Sequence, residues 1–199
     1  MSYVASNQIS DWFVPQNNRD SEILQQWGFI PGLREFLILR QVHALEHATV
    51  WVLSNLSNHS SEDDETIGGL STEQGFFLYG KINSLHLKKS VKIALNRLQR
   101  GEWNLALHPR CGTNASVAAF LTTGMVFTTH IMLPKEPITQ ILGMGLAGIT
   151  ADFLAPEMGM AVQKYLTTAI PFNLQIRKIS KTVDKWGRPA HFIDLKWQN

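Results

Sequence analysis

LREFLILRQVHALEHATVWVLSNLSN, residues 33–58, contains neither glycine nor proline, and Pro31 stands just ahead of it as a helix start signal. Leu33, Phe36, Leu37, Val42, Leu45, Val50, Leu53 and Leu56 occupy more than one helical stripe, which predicts a helix surrounded by protein instead of one lying on a surface. At its middle is HALEH, running from His43 to His47. His43, Glu46 and His47 stand at i, i+3 and i+4 and so share one face. Two imidazoles one turn apart can grip a divalent metal, and the carboxylate between them is close enough to bind the ion or take a proton from its water. H-x-x-E-H is also the inverted zincin spacing of some metallopeptidases. The competing reading is a His–Glu hydrogen-bond pair in the core, because an unpaired carboxylate in such a place would cost several kcal/mol. HALEH alone leaves both open.

A second chemical stretch is HPRCGTN, in which His108 and Cys111 lie three apart in a turn containing Pro109 and Gly112. Both side chains belong to the small set that binds zinc and other borderline-soft metals. If this turn folds against the HALEH helix, His43, His47, His108 and Cys111 can hold one Zn²⁺, with Glu46 left as base or as an outer partner. The alternative is that Cys111 is a small buried hydrophobe and His108 a turn residue.

Composition sets outer limits. Among 199 residues, 18 Lys and Arg against 16 Asp and Glu give a net charge of +2, too little to argue for nucleic acid. Cys111 is the only cysteine, so an intrachain disulfide is excluded and a reducing compartment is expected. No basic-apolar-small pattern marks a signal peptide at the N-terminus.

Residues 1–30 form a weakly structured segment with Trp12, Phe13, Trp27 and Phe29 as anchors and a short helix around Ser21 to Gln26. Residues 31–114 make an α+β domain that carries both motifs. In it, SNHSSEDDET is an acidic loop whose His59 is solvated, and GGLSTEQGFFLYGKI is a glycine-rich loop entering a strand, with Gly68, Gly69 and Gly75 serving turns and close packing. Ser84 caps a helix marked by Leu87, Val91, Leu95 and Leu98 and ended by Gly101, and a short strand follows over Asn104 to Leu107.

Residues 115–155 change character. ASVAAFLTTGMVFTTHIML has no charged residue and ITQILGMGLAGITADFLA has only Asp152. At ~1.5 Å per residue each reaches about 27 to 29 Å, close to the ~30 Å hydrocarbon core, which predicts a transmembrane hairpin turning at PKEP. A pair of buried soluble helices would look similar. Gly143, Gly145 and Gly148 would let the two helices approach closely. Basic residues crowd both flanks while the turn has only Lys135, so the positive-inside rule puts both ends in the cytoplasm. Over residues 156–199 an amphipathic segment runs through Tyr165, and NLQIRKISKTV and AHFIDLKW form a β-hairpin that returns to extend the sheet, with His191 structural.

The fold expected is therefore α+β: a small cytosolic domain with a central HALEH helix and a short mixed or antiparallel sheet, anchored by a two-helix transmembrane hairpin in an inner or thylakoid-type membrane. Two functions follow. One is a membrane-anchored zinc hydrolase of metallopeptidase type acting on membrane protein substrates, with Glu46 as base. The other is a non-enzymatic factor that binds partners during assembly or maintenance of a membrane complex, with a structural metal or polar network. Histidines binding a tetrapyrrole are a minor variant, since no haem attachment motif is present.

HALEH, GGLSTEQGFFLYGKI, ALNRLQRGEWNLALHPRCGTN and the later QKYLTT together resemble an uncharacterised family of small bacterial membrane proteins, common in photosynthetic bacteria, that pair a HALEH-type helix with an HPxCGTN turn ahead of two hydrophobic helices. The resemblance covers roughly residues 33 to 195. It implies that architecture and a polar site at His43, Glu46, His47, His108 and Cys111, and a photosynthetic membrane as a home, without supplying an activity.

Overall fold

Arg19–Trp27 forms helix α1 and Leu33–Leu56 forms α2 in a computed structural model that describes residues 19–56 and 67–198. Trp12, Phe13 and His59 lie outside the described residues. The chain divides into two compact units, one of residues up to Leu107 together with those from Thr168, the other His108–Thr167.

In the first unit, α2 is covered on several sides: Leu37, Ile38, Val42, Ala44, Leu45, Ala48, Val50, Val52 and Leu53 are all buried. Gly68–Thr72 (β1) and Gly75–Tyr79 (β2) follow as a hairpin turning at Glu73 and Gln74. Ser84–Gln99 makes α3, whose Leu87, Val91, Ala94 and Leu98 enter the same core. Leu174–Val183 (β3) and Pro189–Trp197 (β4) complete one antiparallel sheet in the order β1-β2-β4-β3. Phe76, Leu78 and Ile193, fully buried on β2 and β4, close the core against α2 and α3. A chain folded this way gains about 1.5–3 kcal/mol from each such large apolar side chain.

The C-terminal hairpin extends the sheet as the alternation of its sequence predicts, but two other readings are corrected. Gly68–Thr72 is a strand, not a loop. Glycine is a poor strand former, yet a Cβ on Gly69 would lie 2.0 Å from Oε1 of Glu46, so the position must be bare for β1 to lie along α2. Asn104 to Leu107 is not a strand: Trp103–Ala106 is a 3₁₀ turn in which Leu105 and Ala106 are buried in succession. Its end is held by side-chain donors of α2, not by a sheet. The cap of α3 also moves by one residue, to Asn83, whose Oδ1 accepts from the N–H groups of Leu85 and His86 at 2.8 and 3.3 Å. Gly101, at φ +102°, ends that helix in the left-handed region. His191 is buried and 3.0 Å from the Ser84 hydroxyl; burial, then the Lys181 charge, push its pKa down and keep it neutral.

The second unit contains α4, Gly112–Met132, and α5, Pro137–Val162, followed by a π-helical turn over Gln163–Thr167. These helices are long and apolar enough to cross a membrane, with a mean hydropathy of 1.4 each. Phe120, Phe127, Ile141, Leu142, Ile149 and Phe153 are exposed on them. They meet along a seam of small residues spaced four apart on α5: Gly143, Ala147, Ala151, Ala155 and Gly159. A Cβ on Gly143 would lie 2.1 Å from Leu133, and one on Gly159 2.5 Å from Asn114. Gly145 and Gly148 were expected to join this approach, but each faces open space, because neither falls on the four-residue stripe. At the turn, Gln140 is buried and its Nε2 donates to the carbonyls of Leu133 and Pro134 at 3.1 and 2.9 Å while its Oε1 accepts from His130 Nδ1 at 2.8 Å, which satisfies the carbonyls left over where α4 ends.

Candidate metal centre

His43 and His47 sit one turn apart near the middle of α2, with ring centroids 4.3 Å apart and planes inclined by 59°. His43 is half-buried and His47 buried. Nδ1 of His47 lies 2.7 Å from the carbonyl oxygen of Ala106. A carbonyl only accepts, so Nδ1 carries the proton and the lone pair of the neutral ring is on Nε2. Metal-binding histidines are usually fixed in this way, the second nitrogen donating to a carbonyl or carboxylate. One turn further along α2, Trp51 Nε1 donates to the Leu107 carbonyl at 2.9 Å. Two successive carbonyls of the 3₁₀ segment are thus bound to two residues of α2, and the chain leaves Leu107 directly into HPRCGTN.

In that stretch Cys111 caps α4, its Sγ accepting from the Thr113 N–H at 3.3 Å. His43 and His47 on α2 and Cys111 at the head of α4 are three residues of a kind that could hold a metal ion. Two imidazoles and a sulfur suit borderline-soft ions. His108 is not one of the three. It is buried, its Nδ1 accepts from the Arg110 N–H at 3.2 Å, and its backbone is gripped by Gln163 through the His108 N–H at 2.9 Å and the His108 carbonyl at 3.1 Å. Gln163 Nε2 also donates to Asn114 Oδ1 at 2.6 Å, so a fully buried amide of QKYLTT shapes the turn.

Glu46 is buried at 8% exposure on the β1 side of α2. Its Oε2 accepts from the Ser71 hydroxyl, and its Oε1 occupies the room left by Gly69. Gly69 and Ser71 are two apart and so present the same face of β1 to the carboxylate. Sequence reasoning found the residues with recognisable chemistry and Gly69 as a place of close packing, and missed Ser71, Trp51, Gln163 and the two carbonyls. The GG that opens β1 was the signal for close approach; the carbonyls have none, since every residue has one.

Residues 38–179 match the family described as Domain of unknown function (DUF6391). The chain is also 47% identical over 197 residues to an uncharacterised protein from Picosynechococcus sp. (strain ATCC 27264 / PCC 7002 / PR-6), covering 95% of this chain and 94% of that protein. No solved structure matches it. The matched region takes in the histidine pair, Glu46, the hairpin β1–β2, HPRCGTN and both apolar helices, and the chain belongs to the DUF6391 family.

Proposed function

We propose that this chain is a membrane-anchored zinc hydrolase of metallopeptidase type. The observation that carries the reading is the pair His43 and His47 one turn apart on α2, with His47 Nδ1 held by the Ala106 carbonyl so that its lone pair is on Nε2; Cys111 is the third ligand in this reading, and His108 is engaged by Arg110. Three protein ligands leave a position for water, as in catalytic zinc sites, whereas four would close the sphere. His43 is the more exposed of the two histidines and gives solvent a way in. Bound zinc would polarise a peptide carbonyl and make water acidic near neutral pH. Glu46, next to His47 and oriented by Ser71, would take the proton from that water and return it to the departing amine nitrogen as the C–N bond breaks and the oxygen adds to the carbonyl carbon. The two apolar helices would place this chemistry at a bilayer, with both flanks on the cytoplasmic side and membrane proteins within reach.

The test is metal content by mass spectrometry on detergent-purified wild type, His43→Ala, Glu46→Gln and Cys111→Ser, with casein hydrolysis run in parallel. The expected result is near-stoichiometric zinc in the wild type, lost in His43→Ala and Cys111→Ser, and retained in Glu46→Gln, which no longer cuts casein. Stoichiometric zinc with no cleavage by any form would overturn the hydrolase and leave a structural centre in a partner-binding membrane factor.

A further inference from the structure

β1 is an edge strand, with β2 on one side and, among the described residues, no strand on the other. The ladder decides which of its backbone groups face that edge. The Leu195 N–H donates to the Gln74 carbonyl, and the register sets Gly75 opposite Asp194 and Phe76 opposite Ile193. Along a strand flanked on both sides, backbone groups turn to one neighbour and then the other. Gln74, Phe76 and Leu78 therefore bond to β4, and Gly75, Phe77 and Tyr79 bond to β1. Their partners across the hairpin are Thr72, Leu70 and Gly68. The N–H and C=O of Gly69 and Ser71 are left pointing away from the sheet.

Those are the two residues that hold Glu46. Ser71 donates to the carboxylate, and Gly69 makes room for it. We propose that the open edge of β1 receives the substrate: an extended polypeptide joins the sheet as an added strand, bonded to the backbone groups of Gly69 and Ser71, and so lies beside Glu46. This rests on the hydrolase reading and names its substrate class, an unfolded or strand-forming segment of protein. Recognition through backbone groups tolerates many sequences, and the two exposed glycines at the start of β1 present no side chain to obstruct the incoming strand.

The experiment uses the full-length, zinc-loaded Glu46→Gln protein, which binds without cutting, and a casein-derived peptide about ten residues long. Two further versions of the peptide are methylated on alternate backbone nitrogens, one in each register. Binding of the parent should slow amide hydrogen exchange at Gly69 and Ser71, and one methylated register should bind about tenfold or more weakly while the other is unaffected, because alternate amides of a strand face away from its partner. The proposal is overturned if the parent gives no protection there, if both methylated peptides bind alike, or if those amides are already protected without peptide because the chain covers its own edge. Failure of the hydrolase reading looks different: protection and register dependence persist, and the wild type with zinc leaves the peptide intact.

Discussion

A methyl group at position 69 would meet the Glu46 carboxylate at 2.0 Å, deep inside van der Waals contact. Gly69→Ala should therefore destabilise the protein by about 1–3 kcal/mol, the range for overpacking a well-filled site. Removing the carboxylate relieves the clash, so the double variant Gly69→Ala with Glu46→Ala should lose less than the sum of the two single losses in thermal unfolding. Additive losses would mean that the carboxylate is not what keeps position 69 bare. His47 and Cys111 were legible in the sequence because imidazole and thiol advertise their chemistry. Gly69 was legible as a point of close packing, but not what it packs against, because that is a side chain on another element, and Ser71 was one of two adjacent hydroxyls in GGLST.

Among the elements, α2 declared itself through a long apolar run free of glycine and proline and the C-terminal hairpin through alternation, whereas β1 and the 3₁₀ turn did not. W-N-L-A-L alternates well enough to resemble a strand, but His47 and Trp51 take the Ala106 and Leu107 carbonyls that a ladder would need. Trp51→Phe keeps the ring and removes the Nε1–H donor, and should cost about 1–2 kcal/mol in chemical denaturation, since a half-buried carbonyl loses its partner. A second element-scale prediction concerns the turn between β3 and β4. Burial of the Asp184 carboxyl opposes its ionisation, but the Arg188 N–H and guanidinium, the Tyr79 hydroxyl and the Trp186 N–H hold its pKa down at about 2. The folded value lies below the ~3.9 of an unfolded aspartate, so this group stabilises the fold above about pH 4 and loses its contribution as pH falls through about 2. Thermal midpoints of wild type and Asp184→Asn should differ at pH 6 and converge between pH 4 and about 2; a gap that stays constant would exclude the linkage.

For the whole molecule, the prediction is linkage between metal and stability. Zinc that binds the folded chain alone raises the midpoint by mass action, by about 2.7 kcal/mol at a free concentration a hundred times its Kd. Wild type should show the rise on zinc titration and Cys111→Ser should not. A membrane address predicts further that the chain stays with the pellet when membranes are washed with alkaline carbonate. The sheet also has a bearing on how the protein is made. β4, one of its two inner strands, leaves the ribosome after β1, β2 and both apolar helices. Until then Phe76 and Leu78 have nothing to close against on that side, and the hairpin that cradles Glu46 is a two-stranded ribbon of marginal stability. A nascent chain stalled after Thr167 would carry both motifs and both apolar helices yet lack β3 and β4, so the cradle around Glu46 is completed only after the second apolar helix has been made.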